Sequence, residues 1–167
     1  PQDIRTMGGL GKYMRSTSTT FWISTLAIAG IPLLSGFFSK DEILGKTFAA
    51  AHGNGLYYLV YGVGIVTALL TAFYMTRLST LTFSGKPRFD ADHHAPHESP
   101  ALMTIPLWIL AILAIVGGYI GIPEVIGHGS FQFFTQWLSP SVSNAELHAD
   151  AALEWGLMGL SILIAAV

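Results

Sequence analysis

Residues Thr20–Ser39 read TFWISTLAIAGIPLLSGFFS, a stretch without an ionisable side chain that runs directly into Lys40, Asp41 and Glu42 before apolar residues resume. An uncharged run of this kind matches the ~20 residues that a helix needs to cross a bilayer. Charges at its foot are costly beside hydrocarbon and commonly mark an ion path. The depth of Lys40 therefore governs the functional reading.

The apolar character extends on both sides of the three charges. As one straight helix, residues 19–51 would be ~50 Å long at 1.5 Å per residue, against a hydrocarbon core of ~30 Å. Gly30, Pro32 and Gly36 are the natural break points. Ser39 followed by Glu42 fits a capping box, so a second helix is predicted to start at Lys40. Asp41 and Glu42 would then lie at its positive end. The stretch thus reads as two helical halves joined by irregular backbone. Such backbone is tolerated at membrane depth only when packed in protein or lining a wet cavity.

Further outward, apolar runs cover 56–83, 102–122 and 153–167, separated by polar segments 1–18, 84–101 and 123–152. The chain is 51% hydrophobic and 11% charged, where a soluble domain carries about 25% charged residues. The expected fold is all-α: a fragment of a polytopic transmembrane helical bundle with about four spans, the first discontinuous and the last truncated. A start at Pro1 and a final apolar run short of a full span read as an internal piece of a longer protein. The net charge of −2 points to no nucleic-acid partner. The lack of cysteine excludes disulfides, thiolate clusters and thiol catalysis within the chain.

Basic residues set the orientation. Arg5, Lys12 and Arg15 lie in the first polar segment, and Lys86 and Arg88 lie in 84–101, with Arg77 near the same end. The other side has Lys46 and none in 123–152. The positive-inside rule places 1–18 and 84–101 in the cytoplasm. Gly8-Gly9 predicts a tight turn. Phe131, Phe133, Phe134 and Trp137 form an aromatic patch suited to a short interfacial helix.

Lys40 admits two readings: a desolvated proton carrier, or an anchor that snorkels to water at the end of a simple 20-residue span. Thr67, Thr71 and Tyr74 recur at helical spacing and fit either a hydrated path or ordinary interhelical hydrogen bonds. Arg77 reads as a pathway charge, a subunit contact, or a snorkelling side chain. His93, His94 and His97 have the composition of a metal site or of a solvated loop, and Pro96 argues against a preformed site. Ser99 and Pro100 suit the cap and first position of the next helix. Gly117 and Gly121 have GxxxG spacing, with Gly118 between, for close helix packing. No phosphate-binding loop, nucleophile elbow or metalloprotease motif is present.

Four blocks, Asp3–Leu10 (DIRTMGGL), Ala29–Leu44 (AGIPLLSGFFSKDEIL), Thr71–Leu78 (TAFYMTRL) and His97–Pro100 (HESP), resemble the antiporter-like membrane subunits of proton-pumping NADH:quinone oxidoreductase, respiratory complex I. FFSKDEIL and HESP favour the subunit L branch over its sisters and over multisubunit cation/proton antiporters, which share the AGIP and GGL elements. The resemblance implies a cytoplasmic loop leading into a helix broken at Gly30-Ile31-Pro32. It implies Lys40 as the ionisable residue of a half-channel to the outer side, with Asp41 as its neighbour and modulator. Leu33 stands where the family commonly has a second proline, so the break rests on Pro32 with Gly30 and Gly36. The implied role is proton translocation coupled to quinone reduction elsewhere, within an enzyme whose redox site lies outside this chain. No cofactor or metal is implied here. The implied partners are other complex I membrane subunits, above all the adjacent antiporter-like one, and lipids. The implied location is the bacterial inner membrane, multi-pass. A cation/proton antiporter subunit of the same fold and a structural membrane scaffold are the rival readings.

Overall fold

A 29-residue apolar helix is the ruler of the structure. In the computed structural model, which describes residues 3–51, 53–89, 96–121, 137 and 151–166, no strand occurs among the described residues. Helices α1 (Arg15–Ala29), α2 (Ser35–Ala49), α3 (Gly55–Phe83), α4 (Ala101–Val116) and α5 (Ala151–Ala166) carry the fold, with a 3-10 turn at Gly117–Gly121. At 1.5 Å per residue α3 is ~44 Å long, enough to cross a bilayer. Gly55–Phe83 and Ala101–Ile120 are the two helices, among the described residues, long and apolar enough to span. Both keep large apolar side chains on the outside, such as Leu102, Leu69 and Phe73, as lipid or a neighbouring subunit requires.

Helices α1 and α2 are 15 residues each, ~22 Å, so neither crosses alone. They lie end to end and antiparallel along α3. Phe21 stacks on Phe83, Thr25 bonds Ser79, Leu44 meets Gly64, and Phe48 sits between Tyr58 and Tyr61. The first span is thus discontinuous, as expected.

The break has defined geometry. Gly30 adopts φ 90°, and the N–H groups of Gly30 and Ile31 return to the carbonyls of Ala27 and Leu26, both at 3.1 Å. This pattern closes the C-terminus of α1 as a Schellman motif, which glycine's lack of Cβ permits. Leu33 holds φ 73°, a left-handed conformation costing a branched residue roughly 1–2 kcal/mol. A Cβ on Gly36 would overlap the Ala27 carbonyl, so glycine there lets the second half-helix touch the first.

The restart of the helix corrects the expectation. It begins at Ser35, not Lys40, with Leu34 as an N-cap lacking a side-chain bond. Ser39 is inside α2, and its hydroxyl turns back to the Gly36 carbonyl at 3.4 Å, so the Ser39–Glu42 capping box does not form. Starting one turn earlier buries Phe37 and Phe38, which cluster with Met158 of α5. Burying such a side chain stabilises by about 1.5–3 kcal/mol, against about 1 for a cap. Asp41 and Glu42 consequently fall in the second turn. Glu42 faces out and pairs with Lys46.

One end of the bundle is tied by loops. The Gly9 N–H bonds the Ser84 carbonyl at 3.0 Å, and a Cβ on Gly8 would strike the Lys86 carbonyl. Arg88 donates to the Leu81 carbonyl at 2.7 Å, and Tyr13 packs edge-on against Phe89. The N-terminal loop and the segment after α3 therefore share one face.

The glycine pair is also corrected. Gly117–Gly121 is a 3-10 turn, where residues four apart do not share a face. Gly118 is the residue that accommodates a neighbour: an added Cβ would meet Ser35 and the Phe38 ring. α4 begins at Ala101 with Pro100 as its cap, and Ser99 makes no cap bond. The patch residues Phe131, Phe133 and Phe134, and His93 and His94, lie outside the described residues, whereas Trp137 is helical and exposed.

Candidate functional site

The site begins with a geometric coincidence along α2. Residues 37, 40, 41 and 44 share the side of the helix that faces α1 and α3, because three- and four-residue steps stay on one face. They line a small cavity together with Gly30, Ile65, Ala68 and Ser161. Its accessible space holds roughly one water molecule.

Lys40 lies at mid-length. Ile65 and Ala68 are its neighbours on α3, and they stand ~15–20 Å from the Gly55 end and over 20 Å from the Phe83 end. An anchor at the membrane edge would lie against a helix terminus instead. The ammonium donates a 2.7 Å hydrogen bond to the Ile28 carbonyl, across the break and at the negative end of α1.

Asp41 lines the same cavity but does not pair with Lys40. Adjacent helical residues diverge by ~100°, and no ion pair links the two. Both Asp41 carboxylate oxygens are buried without a hydrogen-bond partner among the described residues. The Ser161 hydroxyl of α5 lines the cavity beside them. An amine, a carboxylate and a hydroxyl around a one-water space have the donors and acceptors to pass a proton. Oxygen ligands gathered for a metal do not occur among the described residues.

The remaining candidates fall elsewhere. Gly30 and Gly36 shape the break, with Pro32 between them. Thr67 and Thr71 spend their hydroxyls on the Val63 and Thr67 carbonyls of their own helix. Tyr74 is 52% exposed on the same outward side. None of the three reaches the cavity, where α3 presents Ile65 and Ala68. The spacing showed that the three share a face but not which way it points, because α3 is apolar all round and carries no inward stripe. Arg77 is exposed, two turns before the end of α3. His97 is exposed as well.

Two polar elements had no place in the sequence reading. Thr25 and Ser79, both fully buried, share a 2.8 Å hydrogen bond between α1 and α3. Glu98 caps α1 from the far loop, accepting from the Ser16 N–H at 2.6 Å, the Thr17 N–H at 3.4 Å and the Thr17 hydroxyl at 2.7 Å. Its carboxyl is held below the usual range, first by the Thr17 hydroxyl and then by backbone N–H groups. Met14 at the N-cap was the available signal: a helix start without a capping side chain takes its cap from elsewhere. Trp108 adds a 3.3 Å bond to the Ser16 hydroxyl.

Spanning helices beside a broken helix, with a lysine at mid-depth of the bundle, define a polytopic α-helical membrane protein. Comparison with known families agrees in detail. Residues 1–71 match the family described as NADH:quinone oxidoreductase/Mrp antiporter, transmembrane. Residues 70–162 match the family described as the C-terminal transmembrane segments of a complex I NADH dehydrogenase chain. The chain belongs to the antiporter-like membrane subunits of the complex I family. It is 45% identical to NAD(P)H-quinone oxidoreductase chain 5 of a Picosynechococcus species, over 95% of this chain and 25% of that one. It is 36% identical to NADH-quinone oxidoreductase subunit L of Mycobacterium tuberculosis, over 99% of this chain and 25% of the relative. It is 38% identical to F(420)H(2) dehydrogenase subunit L of Methanosarcina mazei, over 91% of this chain and 22% of the relative. The chain thus spans about a quarter of the length of these relatives.

Proposed function

We propose that this chain is the part of a subunit L-type protein that carries one ionisable step of proton translocation, driven by quinone reduction elsewhere in a multisubunit complex. Lys40 is the carrier and Asp41 its modulator. The observation that supports this best is the mid-length position of Lys40 beside a buried carboxylate. A charge at that depth is expensive and is retained for ion movement.

The relatives' names involve different electron donors: NAD(P)H, NADH and F(420)H(2). A region shared by all three fits the pump rather than donor oxidation, so no redox cofactor is assigned to it. The partners in this reading are lipids and other membrane subunits of the complex, above all the neighbouring antiporter-like one. The location is a bacterial inner membrane crossed several times, with the Arg5–Arg15 loop and the Lys86–Arg88 segment facing the cytoplasm.

The test is Lys40→Met in the full-length protein within its assembled complex, reading proton uptake by sealed vesicles against quinone reduction. Loss of pumping with normal assembly is expected. Parental pumping would reject the carrier role and favour a scaffold. Purification of the full-length protein without quinone-reductase subunits would favour a cation/proton antiporter instead.

A further inference from the structure

Ile28 lies four residues before Pro32. In a continuous helix its carbonyl would take the N–H of residue 32, and proline has none. The chain closes α1 through Gly30 and Ile31, whose N–H groups go to Ala27 and Leu26. The Ile28 carbonyl is outside that pattern, and the Lys40 ammonium takes it at 2.7 Å.

The surrounding residues serve this bond. Gly36 lets α2 approach the last turn of α1, since a Cβ there would overlap the Ala27 carbonyl. Gly30 leaves the lysine stem its space: a Cβ there would stand 3.6 Å from Lys40 Cδ. The carbonyl also belongs to the negative end of α1, about half an elementary charge, which suits an ammonium.

We propose that Pro32 is a positioning residue for Lys40: by lacking an N–H it reserves the Ile28 carbonyl as the docking point of the ammonium. The proposal rests on Lys40 being the carrier. With alanine at 32, the carbonyl gains a competing backbone donor and α1 can run on by a turn. The lysine then loses its fixed position beside the cavity that Asp41 shares.

The test uses the full-length protein in its assembled complex. A cryo-EM map of the parent is expected to show Lys40 Nζ within hydrogen-bond distance of the Ile28 oxygen. A lysine away from that oxygen overturns the dock without needing any variant to fold. In Pro32→Ala, the distance is expected to open beyond hydrogen bonding, and proton uptake per quinone reduced to fall towards that of Lys40→Met. An unchanged distance, or parental uptake, overturns the dock while the carrier reading stands, provided Lys40→Met fails to pump. Parental pumping by Lys40→Met rejects the carrier reading itself.

Discussion

Thr25 of α1 and Ser79 of α3 are hydrogen-bonded at 2.8 Å with both side chains fully buried, the one polar side-chain link described between those two apolar helices. The partners are not equivalent. Ser79 also donates to the Met75 carbonyl at 2.9 Å, whereas Thr25 has no second partner among the described residues. Ser79→Ala therefore leaves a hydroxyl unsatisfied and is expected to cost about 1–3 kcal/mol. Thr25→Val is expected to cost less. Thermal unfolding of the assembled complex, monitored by release of the protein from it, ranks the two. The opposite order would contradict the assignment.

Gly36→Ala and Gly45→Ala form a matched pair. The first drives a methyl into the Ala27 carbonyl, and the second points into open space on the same helix. Overpacking typically costs about 1–3 kcal/mol, while alanine in a helix interior gains about 0.5–1 over glycine. The level of assembled protein in membranes should fall for Gly36→Ala and hold or rise for Gly45→Ala.

The Glu98 cap makes a pH-dependent contribution. Its folded carboxyl lies below the ordinary value of 4.5, the Thr17 hydroxyl being the first cause. The stabilisation is complete above that value and is lost as pH falls through the lower folded one. Glu98→Ala should cost about 1 kcal/mol near neutrality, as a lost N-cap does. The stability gap between parent and variant should close below pH 4.5. A gap that persists in acid would show that packing, not the carboxylate, matters.

Leu33 has a positive φ of 73° and is 66% exposed, so its side chain gives little in return for backbone strain. Leu33→Gly is expected to raise stability by up to about 1 kcal/mol. Leu33→Pro cannot hold that angle, because the ring fixes φ near −65°. It should therefore re-form the break and weaken assembly. Retention of the protein in the complex after detergent extraction distinguishes the two.

The fold was legible where composition alone decides. The uncharged run before Lys40, the 56–83 run and the glycine–proline cluster made a broken first span and a long second helix readable without coordinates. The restart of α2 was not legible. A capping box is a local signal, and it lost to the burial of Phe37 and Phe38 against residues more than a hundred positions away. The face of α3 was hidden for a related reason: an evenly apolar helix holds no record of which side packs inward. Lys40 stood out as chemistry, but its depth depended on the antiparallel register with α3. Its partner is a backbone carbonyl, which no side-chain motif can announce.

The two halves of the broken helix are fastened differently. α1 is pinned by the Thr25–Ser79 bond and the Glu98 cap, in a bundle end laced together by Gly9 and Arg88. Apart from the Lys40–Ile28 bond, α2 meets its neighbours through rings and aliphatic groups: Phe48 on Tyr58 and Tyr61, Phe38 on Tyr119, Leu44 on Gly64. Apolar surfaces resist shear less than directed bonds do, and small sliding of packed helices is a common mode of conformational change. The pair works as a vice with one fixed jaw and one greased jaw, and the lysine rides on the jaw that slides.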